Sequence, residues 1–364
     1  MQMIRSWFQR QFSDPQVVIL VGILTVCFAM IFFFGRMMVP FLAGLVVAYL
    51  LEGLVRALVK WRMPRLLAVV LVFSIFLTSM FFVLFWLLPL LTKQLAQLVQ
   101  QIPGIISATQ DLLLQIPERY PKLVSDEQVV QFTSVLRTEL FNFGQKLLTF
   151  SVASVMGLIT IIVYLIIVPM LVFFFLKDKD RITAWVASFL PKERRLASQV
   201  WQEINEQMGN YVRGKFWEIL IVWGGTYATF LWLNLQYAML LGLVVGLSVL
   251  IPYVGAAVVT LPIAIVAYAQ WGFGDEFFYV LLAYTIIQTI DGNILAPLLF
   301  SEVVAIHPVA IILAILIFGG LWGFWGIFFA IPLATVVQAV LRAWPRHAEE
   351  GECPPNREPE EQAG

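Results

Sequence analysis

Long apolar runs, interrupted by short polar segments, cover most of the chain. The runs are about as long as the roughly 18 consecutive apolar residues that cross a bilayer. Gly35–Arg36 stands between the first two runs and predicts a tight turn there. The pattern therefore predicts an all-α polytopic membrane protein, whose first five spans are residues 17–34, 37–54, 66–90, 152–176 and 216–233.

The segment between the second and third runs is short and basic, with Arg56, Lys60, Arg62 and Arg65. Short basic loops remain on the cytoplasmic side of a membrane. Residues 177–215 carry a second group of basic residues, which agrees with this orientation. We therefore predict a multi-pass protein of the cytoplasmic membrane with both termini in the cytoplasm.

Residues 91–150 have apolar positions at helical spacing, with polar residues between them. Basic and acidic residues balance here, so the segment lacks the cytoplasmic signature. Pro103–Gly104, Pro117 and Pro121 predict breaks. The segment predicts a small extracytoplasmic layer of amphipathic helices. The layer either binds an external partner or packs on the membrane domain and on neighbouring subunits.

The last third of the chain contains two pairs of shorter apolar arms. Residues 237–251 and 254–268 form the first pair, with a turn at Pro252–Gly255. An arm of 15 residues covers roughly 22 Å, less than the hydrocarbon thickness of about 30 Å. This length favours a re-entrant helical hairpin, although two full crossings satisfy the same sequence.

Residues 277–300 then cross the membrane, and residues 308–318 and 325–341 form the second pair of arms. Each half is thus one span followed by one hairpin, which predicts an inverted repeat of the kind found in secondary transporters. In total we expect about eight membrane-embedded elements. Glycines at the second tip allow either close backbone approach or ordinary tight helix packing: Gly319, Gly320, Gly323 and Gly326.

The strongest candidate site is the sequence QTIDGNILAP at residues 288–297, inside a run (216–341) without Lys or Arg. A carboxylate in the bilayer costs about 2.5–3.5 kcal/mol on insertion scales, so Asp291 needs a partner or water. Gly292 and Pro297 predict a broken helix beside it. Asp291 is a candidate for carrying a proton or cation, or else a structural acid. Gln288 and Asn293 either line the same cavity or join neighbouring helices.

Glu302 and His307 flank the next turn. They are candidates for gating or for a proton relay. The alternative for His307 is a helix boundary, because the residue before a proline disfavours the helical conformation.

Composition narrows the function. The chain is 60% hydrophobic and 13% charged, with mean hydropathy +0.87 and zero formal net charge, which argues against a soluble or nucleic-acid-binding protein. Two distant cysteines give no metal or redox motif, and nucleotide-binding and hydrolase motifs are absent from the sequence. We therefore expect no enzyme, no cofactor and no metal, and predict ion-coupled or passive movement of a small polar solute or cation. The alternative is an oligomeric membrane scaffold.

Four stretches carry a family resemblance: VFFFLKDKDR, SVLIPYVGAAVVTLPIA, IIQTIDGNILAPLLFSE and HPVAIILAILIFGGLWGFWGIFFAIPLATVV. They resemble the autoinducer-2 exporter (AI-2E) family, most closely its PerM permeases of Gram-negative bacteria, from Phe12 to Trp344. The resemblance implies a bacterial inner-membrane transporter that needs no ATP and forms homo-oligomers, with a pentamer as the expected form. Members export autoinducer-2, and some relatives resemble sodium or lithium/proton antiporters. Asp291–Asn293 and Pro252–Gly255 carry over as site positions.

These patterns divide the chain into five segments. They are the N-terminal spans (1–90), the extracytoplasmic layer (91–150), a fourth span with cytoplasmic interfacial helices (151–215), the transport core (216–344) and an acidic, proline-rich tail expected to be disordered (345–364).

Overall fold

The computed structural model describes residues 15–119, 155–189, 195–252, 254–300 and 307–343, with the single positions 134 and 138. All regular structure in these residues is helical, so the all-α prediction is confirmed. In chain order the helices are α1 (Pro15–Lys60), α2 (Arg65–Phe82), a π-helix (Val83–Leu87), α3 (Leu88–Arg119), α4 (Val155–Lys177), α5 (Lys179–Ser188), α6 (Arg195–Trp232), α7 (Ala238–Ser248), α8 (Val254–Trp271), α9 (Asp275–Ile290), a second π-helix (Asp291–Leu295), α10 (Ala296–Phe300), α11 (Pro308–Trp322), α12 (Phe324–Phe328) and α13 (Ala330–Ala343).

Helix α1 is continuous over 46 residues. The predicted tight turn at Gly35–Arg36 is therefore wrong. One glycine inside a helix lowers helix stability by only about 0.5–1 kcal/mol relative to alanine. The apolar helix on both sides offsets this cost. The prediction of a cytoplasmic N-terminus counted two spans here, so it loses that support and stays a prediction.

Helix α3 is also longer than its sequence suggests. It contains Pro103–Gly104 and Pro117, so the breaks predicted at those positions are wrong. A proline removes one hydrogen bond and bends a helix, but the remaining bonds can carry the helix past it. Pro121 and most of the rest of the predicted outer layer lie outside the described residues.

A buried acid ties the first helices together. Glu52 of α1 is 6% exposed. Its Oε1 lies 3.1 Å from Lys179 Nζ of α5 and 3.3 Å from Arg56 Nε, and its Oε2 lies 3.9 Å from Arg65 Nη2 of α2. Helices α4 and α5 meet at an angle of 82° at Asp178. The ion pairs therefore fasten α5 against the ends of α1 and α2.

Helix α6 is the centre of the described fold. It packs against α1, α7, α9, α10 and α13. The main hydrophobic core lies between α6, α7, α8 and α9, and its fully buried side chains include Phe230, Val245, Ile263 and Val280. The polar residues of α6 that face this packing are consequently removed from water.

Glycines allow α7 to approach α6 closely. A Cβ on Gly246 would lie 2.9 Å from the Ile219 carbonyl oxygen, and one on Gly242 would lie 3.1 Å from the Tyr227 backbone nitrogen. Gly242 and Gly246 are four residues apart on one face of α7, the spacing that lets membrane helices pack by backbone contact.

We expect Gly246→Ala to lower the free energy of unfolding by about 1–3 kcal/mol, because the new methyl group forces the two helices apart. Thermal unfolding in detergent measures the effect. Gly224→Ala is the matched control, since its Cβ would meet no atom within 4 Å. Equal melting temperatures for the two variants would contradict the close α6–α7 contact.

Four helical segments in the described residues are long and apolar enough to cross a membrane, and a fifth is the bent pair α4–α5. The four are Met37–Lys60, Arg65–Gln101, Val254–Trp271 and Asp275–Phe300. Helices α7 and α11 are apolar but shorter. The total of about eight membrane-embedded elements therefore stays a prediction.

The two arms predicted around Pro252 are present as α7 and α8, but they differ in length. Helix α7 has 11 residues and α8 has 18. At 1.5 Å per residue α7 covers roughly 16 Å and α8 roughly 27 Å, so only α8 approaches the bilayer thickness. A re-entrant hairpin stays a prediction for this pair and for the pair α11–α13.

The turns between the arms of both pairs contain a glycine at a position where no larger residue fits. A Cβ on Gly255 would overlap the Ser248 carbonyl group, and one on Gly326 would overlap that of Phe318. Gly323 has a φ of 60°, which glycine adopts readily. Close backbone approach thus occurs at Gly255 and Gly326, whereas Gly320 faces open space.

Candidate functional site

Asp291 occupies the first position of the second π-helix and is 8% exposed. The helix was predicted to break here, and that prediction is wrong, because α9, the π-helix and α10 are continuous. The Ala296 N–H donates to the Asp291 carbonyl, five residues earlier. Pro297 has no N–H and cannot donate the usual helical hydrogen bond. The wider i→i+5 hydrogen bonds of the π-helix let the helix continue past this missing bond.

A polar face runs along α9 into the π-helix. Tyr284, Gln288 and Asp291 follow each other at spacings of four and three residues, which places them on one side of the helix. The Tyr284 hydroxyl donates to the Ala256 carbonyl of α8 at 2.7 Å. Gln288 Nε2 is buried and lies near the Tyr284 hydroxyl, with which it makes no well-formed hydrogen bond. Gln288 and Asp291 thus share one face of the helix, and their role as site residues stays a prediction.

Asn293 is not part of this face. Its side chain is exposed, and its Nδ2 donates to the Thr289 carbonyl of the same helix at 2.9 Å. The buried face therefore does not include Asn293, and its role as a site residue stays a prediction. At two residues from Asp291 in the π-helix, Asn293 points to roughly the opposite side of the helix.

The structure places an ion pair from α6 in the interior. Lys215 Nζ lies 2.6 Å from Glu218 Oε2, and these side chains are 6% and 4% exposed. Lys215 Nζ also donates to the Val249 carbonyl at 2.8 Å, directly after α7. It lies 5.2 Å from the centre of the Phe300 ring on α10. The lysine therefore joins α6, the α7–α8 turn and α10.

Asp291 lies near this ion pair, because α6 packs against the second π-helix as well as against α9 and α10. It is within electrostatic range of Lys215 and Glu218, but Lys215 Nζ forms its ion pair with Glu218 and not with Asp291. Asp291 Oδ1 is buried and accepts no hydrogen bond from any described residue. In their usual ionised forms the two carboxylates and the single ammonium carry a net charge of −1. We call these three residues the buried charge cluster.

Sequence reasoning missed Lys215 and Glu218. Lys215 belongs to the basic segment that was assigned to the cytoplasm, and Glu218 is a single acid in the next apolar run. The signal was available: Lys215 and Glu218 are three residues apart, so they share one helix face, and an acid inside an apolar run needs a partner. The same argument that selected Asp291 applies to Glu218.

The remaining predicted site residues lie in different places. The turn containing Pro252 and Gly255 adjoins the cluster through Val249, which accepts from Lys215, and adjoins the polar face of α9 through Ala256, which accepts from Tyr284. Exposed His307 caps α11, where its Nδ1 accepts from the Val309 N–H at 3.3 Å, which is the helix-boundary alternative. Glu302 lies outside the described residues. The turn with Gly319, Gly320, Gly323 and Gly326 belongs to the α11–α13 unit, which packs on α1 and α6.

Within the described ranges, no group of three or more His, Cys, Asp or Glu side chains could hold a metal ion.

The family described as AI-2E family transporter matches residues 19–346. The chain belongs to the AI-2E family. A protein of Escherichia coli strain K12 named as permease PerM is 44% identical over 345 residues, which is 95% of this chain and 98% of that protein.

Two further relatives are more distant. Transport protein YueF of Bacillus subtilis strain 168 is 28% identical over 85% of this chain and 84% of its own. AI-2 transport protein TqsA of Escherichia coli strain K12 is 26% identical over 90% of this chain and 91% of its own. Family membership and the apolar helices identify this AI-2E family member as a multi-pass membrane protein of a transporter family.

Proposed function

We propose that this protein is a secondary transporter of the bacterial inner membrane that moves a small polar solute or cation, with the buried charge cluster as its coupling site. The observation that carries the proposal is the excess of one carboxylate over ammonium groups in the buried charge cluster. A buried net charge of −1 is costly, and one proton or one monovalent cation neutralises it.

The cluster has the properties that exchange requires. Protonated or cation-bound Asp291 leaves a neutral site, because Lys215 already balances Glu218. Ionised Asp291 competes with Glu218 for the same ammonium group. A proton and a cation then exclude each other at one carboxylate, which is the condition for coupled movement in opposite directions.

The polar face beside Asp291 suggests how an uncharged solute is held. Gln288 Nε2 is a buried donor without a well-formed hydrogen bond among the described residues, and such a donor favours a ligand that brings an acceptor. Tyr284 limits the space next to it. We propose a small solute with several oxygen atoms, and autoinducer-2 is one candidate because the relative TqsA is named for its transport.

We also propose that the protein forms homo-oligomers, with a pentamer as the expected form. Large apolar side chains are exposed along several helices, among them Phe82, Ile162, Leu298 and Leu313. Lipid and neighbouring subunits can both cover such surfaces.

The test is a flux measurement on purified protein in liposomes with an imposed pH gradient. We expect addition of sodium, lithium or potassium outside to change the internal pH faster than in protein-free liposomes. Counter-movement is then demonstrated by the reverse experiment, in which a proton gradient drives uptake of the same cation. Size-exclusion chromatography with light scattering checks that the assembly is intact.

A second arm replaces the cations with labelled autoinducer-2. Proton-coupled movement of autoinducer-2 without any cation response assigns the site to the organic solute. Absence of a response to every cation and to autoinducer-2, with an intact assembly, contradicts secondary transport through this cluster and favours the scaffold.

A further inference from the structure

Two adjoining cavities lie at the ends of α1, α2 and α4, away from the buried charge cluster. The first has a volume of about 250 Å³ and is lined by Glu52, Val55, Arg56, Val59, Lys60 and Arg65. The second has a volume of about 300 Å³ and is lined by Arg65, Leu66, Val69, Lys177 and Asp178. Arg65 forms part of the wall of both, so the two cavities adjoin at this residue, and we treat them together as one pocket.

The pocket is basic. Its lining contains four cationic side chains, Arg56, Lys60, Arg65 and Lys177, against the two acids Glu52 and Asp178. The Glu52 carboxylate already forms an ion pair with Lys179 of α5. Lys60 has no carboxylate within ion-pair distance in the part of the chain that the structure describes. The lining thus carries an excess of two positive charges, four cations against two acids.

The same pocket has apolar surroundings. Val59 and Leu66 line it, and they are 40% and 57% exposed. Trp61 and Leu67, which flank the pocket in sequence, are 80% and 57% exposed. A free phosphate ion cannot bury these apolar side chains, whereas the acyl chains of a lipid can cover them. Basic groups above exposed apolar side chains match the boundary between headgroups and hydrocarbon.

We infer that this pocket binds the phosphodiester headgroup of an anionic phospholipid, with Arg65 and Lys60 contacting the phosphate and the acyl chains lying along α2. Basic pockets at the cytoplasmic ends of membrane helices bind anionic headgroups in this way. Arg65 also holds Glu52, Asp180 and the Leu176 carbonyl. An occupied pocket therefore braces α1, α2, α4 and α5 against each other.

Native mass spectrometry of the delipidated full-length protein tests this, with phosphatidylglycerol and phosphatidylethanolamine of identical acyl chains added together. We expect preferential retention of phosphatidylglycerol. Lys60→Gln and Lys177→Gln should each weaken that retention about fivefold, the effect of one basic residue near a membrane surface. Lys93→Gln, an exposed lysine on α3, is the matched control and should leave retention unchanged.

Competition with sn-glycerol 3-phosphate and inorganic phosphate distinguishes the lipid from a soluble phosphate. We expect neither to displace phosphatidylglycerol at equal concentration. Displacement by either one overturns the lipid assignment. Equal retention of both lipids, or equal loss in Lys60→Gln, Lys177→Gln and Lys93→Gln, overturns the site.

Discussion

Asp291→Asn is expected to reduce cation-driven proton movement in liposomes to the rate of protein-free vesicles. The amide has nearly the shape of the carboxyl group but neither binds a proton nor carries a charge, so the cluster becomes permanently neutral. Since nothing else in the side chain changes, the fold and the assembly should remain. Internal pH, followed after addition of the cation that the wild type transports, measures the effect.

The matched control is Asp275→Asn, the same substitution at the exposed first residue of α9. It should retain the full flux. If Asp291→Asn also retains it, then Asp291 is a structural acid and the coupling assignment is wrong. If Asp291→Asn loses flux only together with its oligomeric state, the scaffold interpretation gains support.

Lys215→Met is expected to lower the free energy of unfolding by about 3–5 kcal/mol, because it leaves two buried carboxylates without their counter-charge. It also removes the donor to the Val249 carbonyl, which fastens the α7–α8 turn. Unfolding of the purified protein in increasing denaturant, followed by circular dichroism, measures the loss.

The double variant Lys215→Met/Glu218→Leu distinguishes the contribution of the ion pair to stability from the other contributions of the lysine side chain. Replacing both members of a buried pair with apolar residues is often neutral, so we expect most of the lost stability to return. Lys93→Met, the same change at an exposed site, should stay within about 0.5 kcal/mol of the wild type. If the double variant is as unstable as Lys215→Met, then the stability lost in Lys215→Met does not come from breaking the ion pair with Glu218.

The candidate site was partly predictable because the cost of a charge in a bilayer is large and depends on residue type alone. This cost selected Asp291 and required a partner for it. The partner was not predictable by the same means. Lys215 lies far away in sequence, and only the packing of α6 against α9 and α10 brings it to Asp291.

The fold was also predictable only where residue type alone decides the structure. Apolar runs predicted the helices, and at Gly255 and Gly326 the structure has close backbone contacts, one of the two alternatives that the sequence left open for such glycines. Predictions about where helices end failed at Gly35, Pro103 and Gly292, because a glycine or proline costs a helix only a few kcal/mol at most. Neighbouring helices decide whether the chain turns at such a residue, and the local sequence does not contain them.

The second π-helix determines which side chains can share Lys215. Successive residues of an α-helix turn by about 100°, so two residues nine positions apart point in opposite directions, about 180° from each other. Asp291 and Phe300 have this separation, yet Asp291 is within electrostatic range of the same ammonium group that lies 5.2 Å from the Phe300 ring. The π-helix accommodates one residue more than an α-helical turn would, which leaves an effective separation of eight residues and an angle of about 80°. One extra residue thus works as a phase shift, and it lets a single helix present an acid and an aromatic ring to one lysine.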